Sequence, residues 1–443
     1  MLSMKKNKII YLFLLFVYFA KTSAQNNQLL SPEQLKADAD YYFNTLYANH
    51  PNPYYYYSPN EFKDKINKIY AQLNKPLTHE QFAWIIGEIN SYIDTHSRIY
   101  IYQQTHWRKQ IGYNDKVFPV VKIREDKVYL KENNAEINEI NGIKTDKIIH
   151  DLKKYFNWKL IYEQNIHWME MYFSCFLMNK YDIETPFKVK LNNSLKNQIL
   201  DGYSPYKFNK ESSMGIRGGD VSFFKIYPFH SIAIFKIDGF QDGGKETVES
   251  ELDIFFKRVN DINIKNIFYD LSMNQGGSFN TFYSALKALD IIRHDTITFK
   301  IHKIEHINQV NKEYKLNEIV LQPNITNPKI PKERKLFILQ GINTMSTGDY
   351  FCRIVAENKL GTLVGQNSGE PTIAFSCNNY YTMPNSKIQF SVATALLDFS
   401  DHFNHETLHP DIYWDVNHTK DFTEQELIDI IGQYKKKNNV QIK

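Results

Sequence analysis

Apolar positions change their period along the chain, and the changes divide it into regions. Behind Ser31-Pro-Glu-Gln34, which reads as an N-cap with proline at the first helical position, Leu35, Ala39, Tyr42, Phe43 and Leu46 recur at helical spacing. His50-Pro-Asn-Pro-Tyr54 breaks that helix. A second is predicted near Pro59 (Phe62, Ile66, Ile69, Leu73) and a third near Thr78 (Phe82, Ile85, Ile86, Ile89, Ile93). Between Val117 and about Phe208 short β-rich runs take over at 117–123 and 128–130. At 135–148 a strand, the Asn141-Gly142 turn and a helix start follow one another. That order fits either an edge that accepts an extended peptide by β-augmentation or an ordinary strand-to-helix connector. From Ser231 onward apolar runs at 232–235, 267–271, 336–339 and 362–364 alternate with helical stretches at 248–259, 281–292 and 348–358. Such alternation predicts a mainly parallel sheet with crossover helices, and ligands of such sheets bind beyond the carboxyl ends of the strands.

The expected fold class is therefore α/β in the core and α+β overall. The divisions are a leader at 1–24, a helical module at 25–110, a β-rich module at 111–210, an α/β domain at 211–425 and a helical tail at 426–443.

Two loops at strand ends carry candidate chemistry. Lys335-Leu-Phe-Ile-Leu-Gln-Gly341-Ile-Asn-Thr344-Met-Ser346-Thr-Gly-Asp349 runs from an apolar strand through a tight turn into a helix, with a serine at the bend. A serine so placed is lifted clear of the sheet, and the following amides lie at the positive end of a helix, where an oxyanion is stabilised. Ser346-x-x-Asp349 equally spells a capping box, in which Ser346 only satisfies the first turn. Asp270-Leu-Ser-Met-Asn274-Gln-Gly276-Gly277-Ser278 follows another strand. Its paired glycines let backbone N–H groups approach a carbonyl oxygen lying between them and the N–H of Thr347. It lacks the Gly-Lys-Ser/Thr ending of a phosphate loop.

At the end of the third helix stands Asp94-Thr95-His96-Ser97-Arg98, whose histidine suits a general base or a plain capping residue. Asp401-His402-Phe-Asn-His405-Glu406-Thr-Leu-His409-Pro410-Asp411 invites a metal reading. Pro410 interrupts helical spacing there, and no cysteine or His-Glu pair completes a familiar ligand set, so no metal or other cofactor is expected.

Composition sets the compartment and removes one class of partner. Lys5, Lys6 and Lys8, an apolar run over 9–20 and Thr22-Ser23-Ala24 before Gln25 have the three-part layout of a secretory signal, with a retained anchor as the alternative. No cysteine follows the apolar run, which gives no sign of a lipoprotein. Cleavage after Ala24 removes four lysines and no acids, which takes the formal charge from +4 to 0. That leaves no electrostatic footprint for nucleic acid, and Lys435-Lys436-Lys437 reads as a solvated helix end. Cys175, Cys352 and Cys377 are too few for a disulfide framework and read as core, with one bridge open to an oxidising compartment. With 42% hydrophobic residues and no low-complexity stretch, an ordered protein of enzyme size is expected, in periplasm or outside the cell.

Taken in order, Asp94-Thr95-His96, the 270–278 loop, Thr344 to Asp349, Leu363-Val364-Gly365 with Gly369, and His409-Pro410-Asp411-Ile412 resemble the tail-specific, or C-terminal processing, serine peptidases. His50-Pro-Asn-Pro-Tyr54 is similar to a segment of their secreted bacterial members. The resemblance implies Ser346 as nucleophile and an oxyanion hole from Thr347 with Gly276 or Gly277. It also implies that 135–148 closes a PDZ-like module within the β-rich region. One position departs: where branches with a Ser-Lys dyad carry lysine after the glycine matched by Gly369, this chain has Glu370. An unassisted serine hydroxyl is a poor nucleophile near neutral pH. The tricorn-like branch uses a Ser-His pair near the start of its core and a late glutamate, which implies His96 as base, with Glu406 and Glu370 both candidates for the acid. The function so implied is a secreted serine endopeptidase acting on peptide or protein substrates. A non-catalytic peptide-binding protein and a hydrolase of non-peptide esters are the alternatives.

Overall fold

The computed structural model describes residues 29–101, 116–192, 194, 196–212, 222–240, 245–288, 297–305, 314–321, 334–398, 407–418 and 420–440. Three helices open it: α1 (Pro32–Asn49), α2 (Pro59–Tyr70) and α3 (His79–Ile86). Each begins with a hydroxyl N-cap and a Glu or Gln three residues on. The pairs Ser31/Gln34, Ser58/Glu61 and Thr78/Gln81 all close reciprocal capping boxes. A 3₁₀ turn, Gly87–Tyr92, leads into the His96 loop.

The next module has strands β1 (Val121–Arg124), β2 (Lys127–Leu130), β3 (Glu136–Ile140) and β4 (Ile143–Lys144), then helices α4 (Thr145–Lys153) and α5 (Tyr162–Lys180). Strands β5 (Phe187–Leu191) and β6 (Gln198–Leu200) and helix α6 (Pro205–Glu211) complete it. Its sheet order is β1-β2-β3-β5-β6, antiparallel throughout, with β4 folded back on β3 through Asn141 and Gly142, both at positive φ. Because β3 pairs with β2 on one side and β5 on the other, it has no free edge. The segment 135–148 thus runs from β3 through the Asn141-Gly142 turn and β4 into α4, and at β3 no edge is open to an extended peptide. Helix α5 lies inside the stretch expected to be β-rich; it is buried on most sides, so its apolar residues show little helical stripe.

The α/β domain contains β7 (Ser222–Tyr227), β8 (Ile232–Ile237), α7 (Lys245–Asp261), β9 (Asn266–Asp270), α8 (Phe279–Ala288), β10 (Ile297–Glu305) and β11 (Tyr314–Leu321). It continues with β12 (Lys335–Gln340), α9 (Thr347–Glu357), β13 (Thr362–Gly365), β14 (Ile373–Thr382), β15 (Gln389–Asp398), β16 (Ile412–Tyr413) and α10 (Glu424–Val440). Strands β8, β9, β12, β13 and β16 are parallel in the order β16-β13-β12-β9-β8, with β7 antiparallel at the β8 edge. The parallel sheet read from the apolar runs is thus present. Aromatic and aliphatic residues of α7, α8 and α9 cover one face, and Leu427, Ile430 and Ile431 of α10 cover the other against Ile232, Phe268 and Phe337.

A second, antiparallel sheet, β11-β10-β15-β14, was not evident from the apolar runs. Its strand β15 carries the N-terminal module: Phe390 bridges Ile99, the amide of Tyr100 donates to Gln389, and that of Ser391 donates to Arg98. Met383, Ile388, Phe390 and Val392 join one core with α1 to α3 and the β-rich module, so the His96 loop is fixed against the α/β domain by packing as well as by hydrogen bonds. All three cysteines are free thiols. Among the described residues no helix is long and apolar enough to cross a membrane.

Candidate active site

Strand β12 ends at Gln340, and five residues of turn separate it from Ser346, which precedes α9. Ser346 has φ 52° and ψ −130°, a backbone region that favours glycine, and its side chain makes no capping hydrogen bond. The capping-box reading of Ser346-x-x-Asp349 is therefore corrected: Asp349 turns inward and pairs with Arg353 one turn on, with both side chains fully buried. A strained serine that caps nothing presents its hydroxyl to the space above the sheet.

The 270–278 loop closes over this turn through Asn274. The Asn274 carbonyl accepts the Met345 amide at 3.0 Å, its Nδ2 donates to the Ile237 carbonyl at 3.1 Å, and its Oδ1 accepts the Gly276 amide at 2.8 Å. A Cβ on Gly276 would lie 2.5 Å from that of Ser346, and one on Gly277 would lie 2.0 Å from the Phe240 carbonyl oxygen; φ is +94° and +135° at the two glycines. Only glycine fits such contacts. With the Gly276 amide already held by Asn274, the N–H groups without an acceptor among the described residues are those of Gly277 and of Thr347, the first residue of α9. Thr347 itself ties the two loops by donating its hydroxyl to the Gly277 carbonyl at 3.3 Å.

Glu370 lies beneath Ser346, 1% exposed. Its Oε2 accepts the Ser346 amide at 3.2 Å, and its Oε1 faces His96 Nδ1 at 3.6 Å. The carboxylate thus meets both residues, one oxygen on the Ser346 backbone amide and the other toward the imidazole. Burial, reinforced by Asp349, pushes the Glu370 carboxyl up to about 8, while the Ser346 amide and Arg353 oppose the rise. Arg353 also donates to the Glu370 carbonyl at 3.1 Å, which fixes the backbone of the residue from below.

Burial holds the His96 imidazole below its ordinary value, with Asp94 opposing and Arg98 adding to the effect. A neutral imidazole is the form that accepts a proton. Its Nδ1 also meets Thr95 Oγ1 at 3.3 Å. Nε2, on the opposite edge of the ring, has no partner among the described residues, and no hydrogen bond yet joins His96 to Ser346. Hydrogen bonds of catalytic groups are often long in a free enzyme and tighten when substrate arrives.

The loop itself is built on Asp94. Its Oδ1 accepts the amides of His96 and Ser97 at 2.7 and 2.9 Å, and its Oδ2 accepts His50 Nε2 at 2.9 Å. Since His50 Nδ1 accepts the Asn52 amide, Nε2 is the nitrogen that carries hydrogen to Asp94. Burial favours the protonated Asp94, but its hydrogen bonds and the two neighbouring histidines outweigh this and hold the carboxyl low. The His-Pro-Asn-Pro break after α1 therefore supports the His96 loop from 44 residues away.

Of the residues anticipated from sequence, Ser346, His96, Glu370, Gly277 and Thr347 converge. Gly276 lines the same space with its amide occupied, and Glu406 lies outside the described residues, as do Asp401, His402 and His405. His409 contacts Asn367 at 2.9 Å. Among the described residues no group of three His, Cys, Asp or Glu is placed to hold a metal ion. The anchoring role of Asn274 and the support from His50, Asp349 and Arg353 were not anticipated. Asn274 stood in the quoted loop motif, whereas nothing in sequence links His50 to Asp94.

Residues 231–414 match peptidase family S41. That stretch contains Gly277, Ser346, Thr347 and Glu370; His96 reaches the site from outside it. Among solved structures, the chain is similar to mature CPAF complexed with lactacystin (10% identity, TM-score 0.56, 91% of this chain and 98% of that one). It is also similar to a crystal structure of mature CPAF (10% identity, TM-score 0.55, 91% of this chain and 97% of that one). At such identity the likeness is one of fold. No curated protein matches the chain. Residues 231–414, which carry the Ser346 turn, the 270–278 loop and Glu370, thus match peptidase family S41, on a fold like that of mature CPAF.

Proposed function

We propose that the protein is a secreted serine endopeptidase, periplasmic or extracellular, that cleaves peptide bonds through Ser346 with His96 as general base. The observation that carries this reading is the strained, uncapping Ser346 sharing one buried carboxylate with His96. In the reaction, Ser346 Oγ attacks the scissile carbonyl carbon as its proton passes to His96 Nε2. Glu370, ionised, accepts the Nδ1–H and stabilises the imidazolium. The carbonyl oxygen becomes an oxyanion held by the N–H groups of Gly277 and Thr347, at the positive end of α9. Collapse returns the proton from Nε2 to the leaving amine and leaves an acyl-Ser346 ester. Water, deprotonated by His96, then hydrolyses the ester and regenerates the serine. Glu370 is the acid of this scheme because it faces His96 directly. Secretion rests on the lysine-led apolar segment and on Thr22-Ser23-Ala24.

A fluorophosphonate probe tests the nucleophile. Labelling of the wild-type protein that disappears in Ser346→Ala, together with peptide hydrolysis, supports the assignment. Labelling that survives in the mutant overturns it. Absence of both labelling and hydrolysis, with peptide binding retained, selects the non-catalytic binding protein, and hydrolysis of esters alone selects the third reading. Amino-terminal sequencing of exported protein tests secretion, with Gln25 expected as the first residue.

A further inference from the structure

Two residues beyond His96, Arg98 holds a guanidinium that no carboxylate or hydrogen-bond acceptor among the described residues satisfies. Its central carbon lies 5.4 Å from the Tyr100 ring centre and 5.0 Å from that of Trp168. Both rings are themselves fixed. The Tyr100 hydroxyl donates to Ser391 Oγ at 3.0 Å; Trp168 stacks on Tyr172 at 5.6 Å and packs against Met345, the residue before the nucleophile. The Arg98 backbone is tied to β15 through the Ser391 amide. Cation–π contacts engage the faces of a guanidinium and leave its N–H edge available. The group therefore stands half-buried and pre-oriented between the His96 loop and the Ser346 turn, with its five donors unspent among the described residues. Tyr380, 70% exposed on the outer strand β14, stacks on Tyr100 and extends the aromatic wall outward.

We propose that Arg98 is a specificity residue of this site, receiving a carboxylate of the bound peptide in a bidentate pair on the aromatic wall between His96 and Met345. The inference rests on the peptidase reading above and adds a substrate class to it: peptides carrying an acidic side chain or a free terminal carboxylate close to the scissile bond. An aromatic-backed guanidinium loses little freedom on pairing, and leaving it unpaired beneath a neutral substrate forfeits a charge-assisted bond, so discrimination of at least about tenfold is expected.

The test uses matched fluorogenic peptides differing only as Glu against Gln at each position flanking the cleavage point, and as free acid against amide at the carboxyl end. Wild-type enzyme should favour one carboxylate member in kcat/KM, and which arm responds identifies the source. In Arg98→Gln the ratio within that pair should fall to about twofold or less, while Arg98→Lys, keeping charge without the planar fork, should retain an intermediate preference. Equal rates for every pair in the wild-type enzyme, or a preference that survives in Arg98→Gln, overturns the proposal. Binding of the same pairs to Ser346→Ala, read by fluorescence anisotropy, separates this from failure of the peptidase reading. A carboxylate preference in binding that vanishes on adding Arg98→Gln supports Arg98 even if no peptide is cleaved, and equal binding refutes it. Should Arg98→Gln fail to fold, the Lys variant and the wild-type pairs still decide.

Discussion

The acidic limb of the pH–rate profile should lie near pH 8, and Glu370 should set it. The proposed scheme requires an ionised Glu370 to accept the Nδ1–H of a neutral His96. Burial lowers the imidazole and raises the carboxyl to about 8, so at pH 7 the competent form is only about one-tenth of the protein. Activity should therefore rise through pH 8 instead of levelling at the 6 to 7 expected of an ordinary histidine. Stability must move the other way. The folded carboxyl titrates above its ordinary 4.5, so the folded state binds more protons than the unfolded chain between pH 4.5 and about 8, and stability falls as pH rises across that window. At about 1.4 kcal/mol per pH unit, up to about 5 kcal/mol is lost by pH 9. Glu370→Gln removes the ionisation. It should lower kcat/KM on the order of 10²- to 10⁴-fold at pH 9 and shift the remaining limb below 6.5. In urea unfolding at pH 5 and pH 9 it should also be several kcal/mol less pH-sensitive than wild type. The measurements are kcat/KM on one fluorogenic peptide from pH 5 to 10 and urea midpoints at both ends. A wild-type profile flat above pH 7, or identical pH dependence of unfolding in the two proteins, refutes the reasoning.

Ser346→Ala should abolish hydrolysis without the stability loss of about 1 kcal/mol that removing a cap costs, and Ser346→Gly should be about 1 kcal/mol more stable than the alanine variant because φ 52° suits glycine; equal denaturation midpoints would contradict the strain. His96→Ala should cut kcat/KM by roughly two to four orders of magnitude, and a rate within about threefold of wild type leaves His96 a bystander. Gly277→Ala drives a methyl to 2.0 Å from the Phe240 oxygen and should disrupt the oxyanion loop, seen as a lower kcat with Ser346 still present; unchanged kcat would remove that loop from the mechanism. Asp94→Ala strands two amides and the His50 N–H in the core and should cost about 3 to 5 kcal/mol in urea unfolding, against which a loss below about 1 kcal/mol would argue.

Legibility followed the physical range of each signal. The capping boxes of α1 to α3, the strand at 267–271 and the Ser346 turn are local, and all could be read from a few adjacent residues. Helix α5 escaped because burial on most sides erases a stripe, and the antiparallel β10-β11-β14-β15 sheet escaped because pairing of β10 with β15 joins residues nearly a hundred positions apart. At the site, Ser346 and the glycine loop announce themselves through backbone chemistry, and Glu370 through its departure from a motif. The His50 to Asp94 bond and the Asn274 anchor are tertiary facts. Whether Ser346 capped its helix turned on one torsion angle, which a sequence does not state.

The glutamate at 370 acquires a physical meaning from what surrounds it. Asp349 and Arg353 already form a closed ion pair below the site, so that pocket supplies no unspent counter-charge, and burial disfavours ionisation of whatever side chain stands above it. A lysine in that place would be driven toward its neutral amine, which is a base, and the pocket would activate serine unaided. A glutamate in the same place is driven toward its neutral acid, which is no base at all. The identical electrostatic surroundings thus support a dyad with one residue and forbid it with the other, and the proposed scheme gives the proton-accepting role to the group that burial also keeps neutral but leaves basic, His96. In that scheme base and nucleophile come from different modules, and the buried Asp94 scaffold, anchored by His50 from the end of α1, is what holds His96 in place across the divide.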